Sequence, residues 1–267
     1  MLLADMGAEV IRVEKPGGEE DRELGPFTPN GQSMYLMFTC RNKKGITLNL
    51  RSEKGREILK EVVKKSDVVI ENFGLGVNKR LGLDYESLKQ TKTDIIVVAI
   101  SAFGQTGPYA WRGGFDTVAQ AMSGIMSITG FPGNPPTRAG VNIVDFSTGT
   151  YAALGVMYAL YYREKTGKGQ LVDVSLMDVG VSFMESVFAE YEVLGEPRPQ
   201  LGNSIIFAAP YNAYKARDGY VFIGVGSNSI WKKFLKATGK EELASDPRYL
   251  TNERRVKNSH FINEWVN

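Results

Sequence analysis

The chain has 267 residues, 43% of them hydrophobic, which is enough for one large domain, or for one domain and part of a second. Its 32 basic and 30 acidic residues leave a net charge of +2, which argues against a general role in binding nucleic acid or a membrane surface. Cys40 is the only cysteine, so no intrachain disulfide can form, and we expect a reducing, cytoplasmic location.

Strand and helix patterns alternate in the first half of the chain. Residues 1–6 are typical of a helix end, with no signal peptide pattern and no apolar run of transmembrane length. Strands are predicted over 8–14, 45–50, 68–70 and 94–100, a helix after Ser52, a short helix over 84–89, and irregular structure over 19–32. Such βαβ units form parallel sheets, and ligands bind at the carboxyl ends of the strands. The loops expected there are 15–16, 72–74 and 101–104.

Longer helices are predicted in the second half, over 115–126 and 145–164. Tyr151, Leu154, Tyr158 and Tyr161 recur at nearly helical spacing, which predicts that the second helix is largely buried. A short strand after Gly169 then leads to Asp178 at the start of another helix. A boundary over 195–199, a hairpin over 213–222 and a helix over 231–235 indicate the start of a second domain.

Histidine, cysteine and glycine-rich motifs offer little chemistry. The only histidine, His260, lies in a charged segment near the end, and we interpret it as a surface residue, so a serine or cysteine triad lacks its base. One histidine and one cysteine do not make a typical zinc site. Neither the dinucleotide-binding nor the Walker-A glycine pattern is present. We therefore expect no metal and no NAD.

Asp178 has two interpretations from the residues alone. An acid at a helix start caps the helix and favours its dipole, but it can also be a covalent nucleophile. Asp116 and Asp145 have the same structural interpretation, which we adopt for Asp145. Arg12 and Lys15 near a strand end are either solvated charges or phosphate ligands. Further cations at the ends of neighbouring elements are Arg51, Lys79 and Arg80.

Five segments carry a resemblance to a known family: LLADMGAEVIRVEKP (2–16), NKKGITLNL (42–50), SDVVIENFGLGVNKRLGLDYESL (66–88), AISAFGQTGPYAWRGGFDTVAQAMSG (99–124) and TGKGQLVDVSLMD (166–178). In this order along the chain, they resemble the family III CoA-transferases, which include formyl-CoA transferase and carnitine CoA-transferase. The resemblance implies an α/β fold, with an open Rossmann-like, mostly parallel sheet domain and a smaller α+β domain. It also implies an interlocked homodimer. On this basis we assign 1–195 to the large CoA-binding domain and 196–267 to a linker and the start of the small domain.

The resemblance also implies a site and a reaction. Asp178 matches the family nucleophile. The substrates would be an acyl-CoA and a carboxylic acid, with coenzyme A carried through an aspartyl anhydride and an aspartyl-CoA thioester. The implied coenzyme A contacts are Lys15, Leu48, Asn49, Leu50, Arg51, Asn72, Phe73, Gly74 and Arg80.

Two alternatives remain. The α-methylacyl-CoA racemase branch of the same superfamily has a histidine in a motif resembling G-H-D, where this chain has Gly114-Phe115-Asp116, and phenylalanine cannot move a proton. Its small-domain glutamate is also missing from the run 224–228. Family members begin before Met1 and continue past the last residue. The chain therefore resembles a truncated form, which would be an inactive CoA-binding fragment or a subunit that needs a partner chain.

Overall fold

The computed structural model describes residues 1–266 and divides into two compact units. The first unit contains residues 1–125 and 139–185, and the second contains residues 126–138 and the chain from Ser186 onward. Apart from residues 126–138, the boundary between the two units therefore lies between Glu185 and Ser186. The assignment of a CoA-binding domain to 1–195 and of a small domain to 196–267 stays a prediction.

Parallel strands form the framework of the first unit. One sheet pairs β1 (Val10–Glu14) with β2 (Lys43–Thr47), and another has the order β3 (Val68–Glu71), β4 (Ile96–Ser101), β5 (Leu171–Ser175). The helices of this unit are α1 (Leu2–Asp5), α2 (Met34–Thr39), α3 (Glu53–Lys64), α4 (Val77–Leu81), α5 (Tyr85–Thr91), α6 (Asp116–Met122), α8 (Ile143–Thr166) and α9 (Leu176–Ser182), with a 3-10 turn over Glu20–Glu23. The short helix α7 (Ile125–Ile128) spans the boundary, because the second unit begins at Met126. The predicted mostly parallel α/β fold is confirmed.

The predicted local signals set several of these boundaries. Ser52 Oγ accepts the N–H of Gly55 and so begins α3, and the Asp84 carboxylate accepts the N–H of Ser87 at the start of α5. The left-handed residue Gly167 ends α8. Residues 95–99, within the most apolar predicted strand, are at most 1% exposed. Hydrophobic patterning and capping therefore suffice to predict these elements.

Three elements in the first half differ from the prediction. The second strand covers 43–47 rather than 45–50, because the chain turns at Asn49, whose side-chain oxygen accepts the N–H of Arg51. Helices α2 and α4 were not predicted. Helix α2 begins after a Ser33 cap but is only one turn and a half long, and α4 follows Gly76 without a side-chain cap. Both helices are too short for a periodic apolar pattern, on which a prediction depends.

The prediction that the tyrosine face of α8 is buried is wrong. The side chains of Tyr151, Leu154, Tyr158 and Tyr161 are 43–67% exposed. The buried face instead carries small residues such as Ala152, Val156 and Ala159, and a Cβ at Gly155 would lie 2.7 Å from Val172 Cγ1. The helix approaches the sheet too closely for a tyrosine to fit between them, so the bulky side chains point away.

The second unit is built on an antiparallel hairpin. Strands β6 (Tyr211–Ala216) and β7 (Gly219–Gly224) pair as predicted, and a core of Val225, Trp231, Leu235, Tyr249 and Ile262 lies beside them. The helices of this unit are α10 (Val187–Leu194), α11 (Asn228–Thr238), α12 (Asn252–Lys257) and α13 (Ser259–Val266), with a 3-10 turn over Glu241–Ser245. Across residues 1–266, no helix combines the length and hydropathy that a bilayer crossing requires.

Candidate active site

Asp178 lies in the first turn of α9, directly after β5. Ser175 Oγ accepts the Asp178 N–H at 3.0 Å, and the Met177 N–H donates to the carbonyl of Ala102 at 3.0 Å. The helix start is therefore capped by Ser175, not by the Asp178 side chain. The carboxylate is exposed and has no hydrogen bond or ion pair within the described part of the chain. The sequence left open whether Asp178 is a helix cap or a nucleophile. Ser175 provides the cap, so capping does not account for the Asp178 side chain.

Close packing fixes the backbone that carries Asp178. Its neighbours Leu176 and Val179 are buried, and a Cβ at Gly180 would lie 2.7 Å from Ser123 Oγ. At the end of α9, the hydroxyls of Tyr151 and Ser182 are 3.1 Å apart. The carboxylate is therefore presented to solvent from a rigid support, which is what a reacting group requires.

Asp116 is a buried carboxylate that caps α8 from a distance in sequence. Its Oδ1 accepts the N–H groups of Val144 at 2.8 Å and Asp145 at 3.1 Å, while its Oδ2 accepts the side-chain amide of Gln120. Asn142, the residue at the N-cap position, provides no side-chain cap. Asp116 supplies the negative charge that the N-terminus of a long helix favours.

Asp145 is only partly exposed and lies in the first turn of α8, as predicted, but its side chain does not cap the helix. Because Asp116 already accepts the free N–H groups, the Asp145 carboxyl has no hydrogen bond or ion pair among residues 1–266. Burial, together with the nearby charge of Asp116, raises the pKa of Asp145 to about 6. Ionisation of the Asp145 carboxyl therefore destabilises the folded protein.

The predicted coenzyme-binding residues follow the carboxyl ends of parallel strands. Lys15 follows β1 and residues 48–51 follow β2, and the two loops start side by side because the Leu48 N–H donates to the Glu14 carbonyl at 2.9 Å. The loop 72–74 follows β3. Leu50 and Phe73 pack against the same buried cluster, so the loops after β2 and β3 share one core.

Asp178 is placed at some distance from these loops. It follows β5, and β4 separates that strand from β3, so Asp178 and the 72–74 loop are about two strand spacings, or roughly 10 Å, apart along the sheet edge. The loop after β4 lies between them. Ser101 Oγ at the end of β4 and Gln105 Nε2 in this loop are buried without a hydrogen-bond partner in the described residues, as is typical of polar groups that a ligand completes.

The cations at this edge differ in their availability. Arg12 is bound bidentately by Asp21 at 2.7 and 2.8 Å, and the same carboxylate raises the Arg12 pKa, so Arg12 supports the loop after β1. The Lys15 side chain is 53% exposed, and its Nζ lies 3.6 Å from Glu19 Oε2. Arg51 and Arg80 are exposed and have no acidic partner anywhere in residues 1–266. These two guanidinium groups are the most available for an anionic ligand.

Glu71 is a site residue that the sequence interpretation missed. It ends β3, is 5% exposed, and accepts the Phe73 N–H at 2.7 Å and the Asn78 side-chain amide at 2.8 Å. Burial raises the Glu71 pKa against the opposing effect of both hydrogen bonds. The only sequence signal was an acid directly after an apolar strand. Among residues 1–266, no three potential metal ligands lie together.

The sequence profile of CoA-transferase family III matches residues 1–267. The chain belongs to CoA-transferase family III. It is 42% identical to succinyl-CoA–D-citramalate CoA-transferase of Chloroflexus aurantiacus, over 99% of this chain and 66% of that protein. It is 40% identical to acetyl-CoA:oxalate CoA-transferase of Acetobacter aceti, over 98% of this chain and 67% of that protein.

Solved structures give the same result. A CaiB/BaiF family protein from Brucella suis is 39% identical with a TM-score of 0.86, over 99% of this chain and 71% of that one. Rv3272 of Mycobacterium tuberculosis is 28% identical with a TM-score of 0.84, over 100% of this chain and 69% of that one. The chain spans about two thirds or less of the curated relatives it matches, with 59% for the mouse succinyl-CoA:glutarate CoA-transferase.

Proposed function

We propose that this protein transfers CoA from an acyl-CoA to a free carboxylic acid, with Asp178 as the covalent nucleophile. The observation that carries the proposal is the exposed, unpaired carboxylate of Asp178 on a capped helix start at the carboxyl edge of a parallel sheet. Membership of CoA-transferase family III supports the reaction class. The predicted homodimer and cytoplasmic location stay predictions.

The reaction proceeds by four acyl transfers that balance without a metal or redox partner. The Asp178 carboxylate attacks the donor thioester, forming a mixed anhydride and releasing CoA thiolate. The thiolate attacks the aspartyl carbonyl, giving an aspartyl-CoA thioester and the free donor acid. The acceptor carboxylate attacks this thioester, forming a second anhydride and releasing the thiolate again. The thiolate then attacks the acceptor acyl carbon, which yields the new acyl-CoA and regenerates Asp178.

The sheet edge provides features suited to coenzyme A. Arg51 and Arg80, with Lys15, would face the phosphates, since guanidinium groups bind phosphate oxygens bidentately. The loops 48–51 and 72–74 would surround the adenine with apolar side chains and backbone groups. The distance of roughly 10 Å along the edge from 72–74 to Asp178 suits a ligand whose thiol lies far from its phosphates.

We extend the class of acid from the relatives. Citramalate, oxalate and glutarate in their names are all dicarboxylic acids. We therefore propose a dicarboxylic acid as one of the two acids exchanged. Phe115, which is 82% exposed, has no group that transfers a proton, and this argues against racemisation as the alternative activity.

The test is a transfer assay on the complete protein with succinyl-CoA and a series of isotopically labelled mono- and dicarboxylic acids, followed by mass spectrometry of the CoA products. We expect labelled dicarboxyl-CoA in the wild type and none in Asp178→Asn, with CoA binding retained in the variant. Transfer that persists in Asp178→Asn would exclude Asp178 as the nucleophile. Exchange of the α-proton with deuterated solvent, without transfer, would favour the racemase.

A further inference from the structure

The Glu71 carboxylate joins two segments that carry proposed coenzyme A contacts. Its Oε2 accepts the N–H of Phe73 in the loop after β3, and its Oε1 accepts the side-chain amide of Asn78 in α4. No basic side chain pairs with it in the described residues. A buried carboxylate without a cation depends on such donors, so both hydrogen bonds constrain the structure strongly.

Helix α4 depends on this junction for its position. It has five residues, starts at the left-handed Gly76 without a side-chain cap, and ends at the left-handed Gly82. A helix this short is not stable in isolation. Asn78 provides its fixed point: its Nδ2 donates to Glu71, and its carbonyl accepts the Leu83 N–H at 2.8 Å. Arg80 lies two residues further along the same short helix.

On the loop side, the hydrogen bond to Phe73 sets the turn that directs its side chain inward. Phe73 packs against the buried cluster that also contacts Leu50. The flanking residues Asn72 and Gly74 stay exposed. One carboxylate thus determines both the turn that exposes 72 and 74 and the helix that presents Arg80.

We propose that Glu71 is a positioning residue that fixes the 72–74 loop and Arg80 for coenzyme A, an inference that rests on the proposed function. Glu71 does not touch the coenzyme, because it is buried and both of its oxygens are occupied. Its loss should weaken the binding of CoA and acyl-CoA and leave the chemistry at Asp178 unchanged once substrate is saturating.

A reversed pair provides the sharpest test. In Glu71→Gln one oxygen becomes an NH2 group that faces a donor, so one hydrogen bond is lost. Asn78→Asp alone places two carboxylates face to face. The double variant Glu71→Gln/Asn78→Asp restores a donor–acceptor pair with the charge moved to position 78. Glu86→Gln, an exposed glutamate in α5, is the matched control.

The complete protein is assayed for CoA affinity by calorimetry and for KM and kcat by acyl-CoA transfer. We expect Glu71→Gln to raise the CoA Kd and the acyl-CoA KM about tenfold with kcat little changed, since an unsatisfied buried group costs about that factor. The reversed pair should recover most of the affinity, and Glu86→Gln should match the wild type. A purely structural role would not produce this separation of KM from kcat together with rescue.

The results that would overturn the positioning role of Glu71 differ from the result that would refute the proposed function. Unchanged affinity in Glu71→Gln, or a fall in kcat at constant KM, overturns the positioning role. If Glu71→Gln does not fold, the reversed pair decides alone: wild-type affinity supports the proposal, and tenfold weaker binding overturns it. A wild-type protein that binds no CoA at all would instead refute the proposed function, which the calorimetry detects before any variant is compared.

Discussion

Replacing Asp145 with asparagine is expected to stabilise the protein at neutral pH. Asp145 is partly buried, lacks a partner in residues 1–266 and lies near Asp116, and together these features raise its pKa from the ordinary 3.8 to about 6. The folded protein therefore holds the Asp145 proton more tightly than the unfolded chain does. The stability that this provides is complete below about pH 4 and is lost as the pH rises to about 6. Asparagine has a similar shape and does not ionise.

The magnitude follows from the pKa difference. At about 1.4 kcal/mol for each pH unit, a rise from 3.8 to about 6 corresponds to about 3 kcal/mol above pH 6. Solvent screening of a partly exposed group reduces this to about 1–2 kcal/mol. For a chain of this length, such a change corresponds to a rise in Tm of about 5 °C.

The assay is differential scanning calorimetry of wild type and Asp145→Asn at pH 4, 6 and 7.5. We expect a higher Tm for the variant at pH 7.5 and no difference at pH 4. Asp116→Asn provides the contrast of opposite sign, because Asp116 accepts three hydrogen bonds and its change should lower the Tm at pH 7.5. An Asp145→Asn effect of equal size at pH 4 and 7.5, or a destabilised variant at pH 7.5, would refute the reasoning.

Two further predictions concern the coenzyme loops. Gly55→Ala should destabilise the protein by about 2 kcal/mol or more and weaken CoA binding, because the new Cβ would lie 2.1 Å from the Asn49 carbonyl oxygen and displace the 48–51 loop. In the control variant Gly45→Ala, the new Cβ has no atom within 4 Å. Equal Tm values for the two variants would contradict this prediction. Arg80→Ala should raise the CoA Kd, measured by calorimetry, about tenfold at low salt and less at high salt. Arg12 is paired with Asp21, so Arg12→Ala should mainly lower the Tm. A salt-independent effect of Arg80→Ala would argue against a phosphate contact.

The parts of the fold that could be predicted depend on neighbouring residues. Ser52 and Asp84 cap helices that begin one residue later, and the apolar run at 95–99 becomes the buried central strand. These signals are local, because the partner groups lie within one turn or one strand. The same is true of Ser175 and Asp178, three residues apart, and so the position of Asp178 at a helix start was predictable.

The parts that could not be predicted depend on contacts between remote segments. Asp116 caps a helix whose first free N–H groups lie about 28 residues later, which leaves Asp145 at the helix start without the expected capping role. The exposed tyrosine face of α8 follows from how closely the helix approaches the sheet, a distance that the spacing of residues does not report. Glu71 looks like a solvated strand end until its burial and its two donors are seen.

The central claim is that Asp178 carries CoA covalently, and trapping that intermediate tests it most directly. The complete protein is incubated with acyl-CoA, treated with hydroxylamine and digested, and the peptides are analysed by mass spectrometry. The account predicts a hydroxamate on Asp178 that forms only with acyl-CoA and is absent from Asp178→Ala, which still binds CoA. Robust transfer activity with no modification of Asp178, or with the modification on another carboxylate, would contradict it.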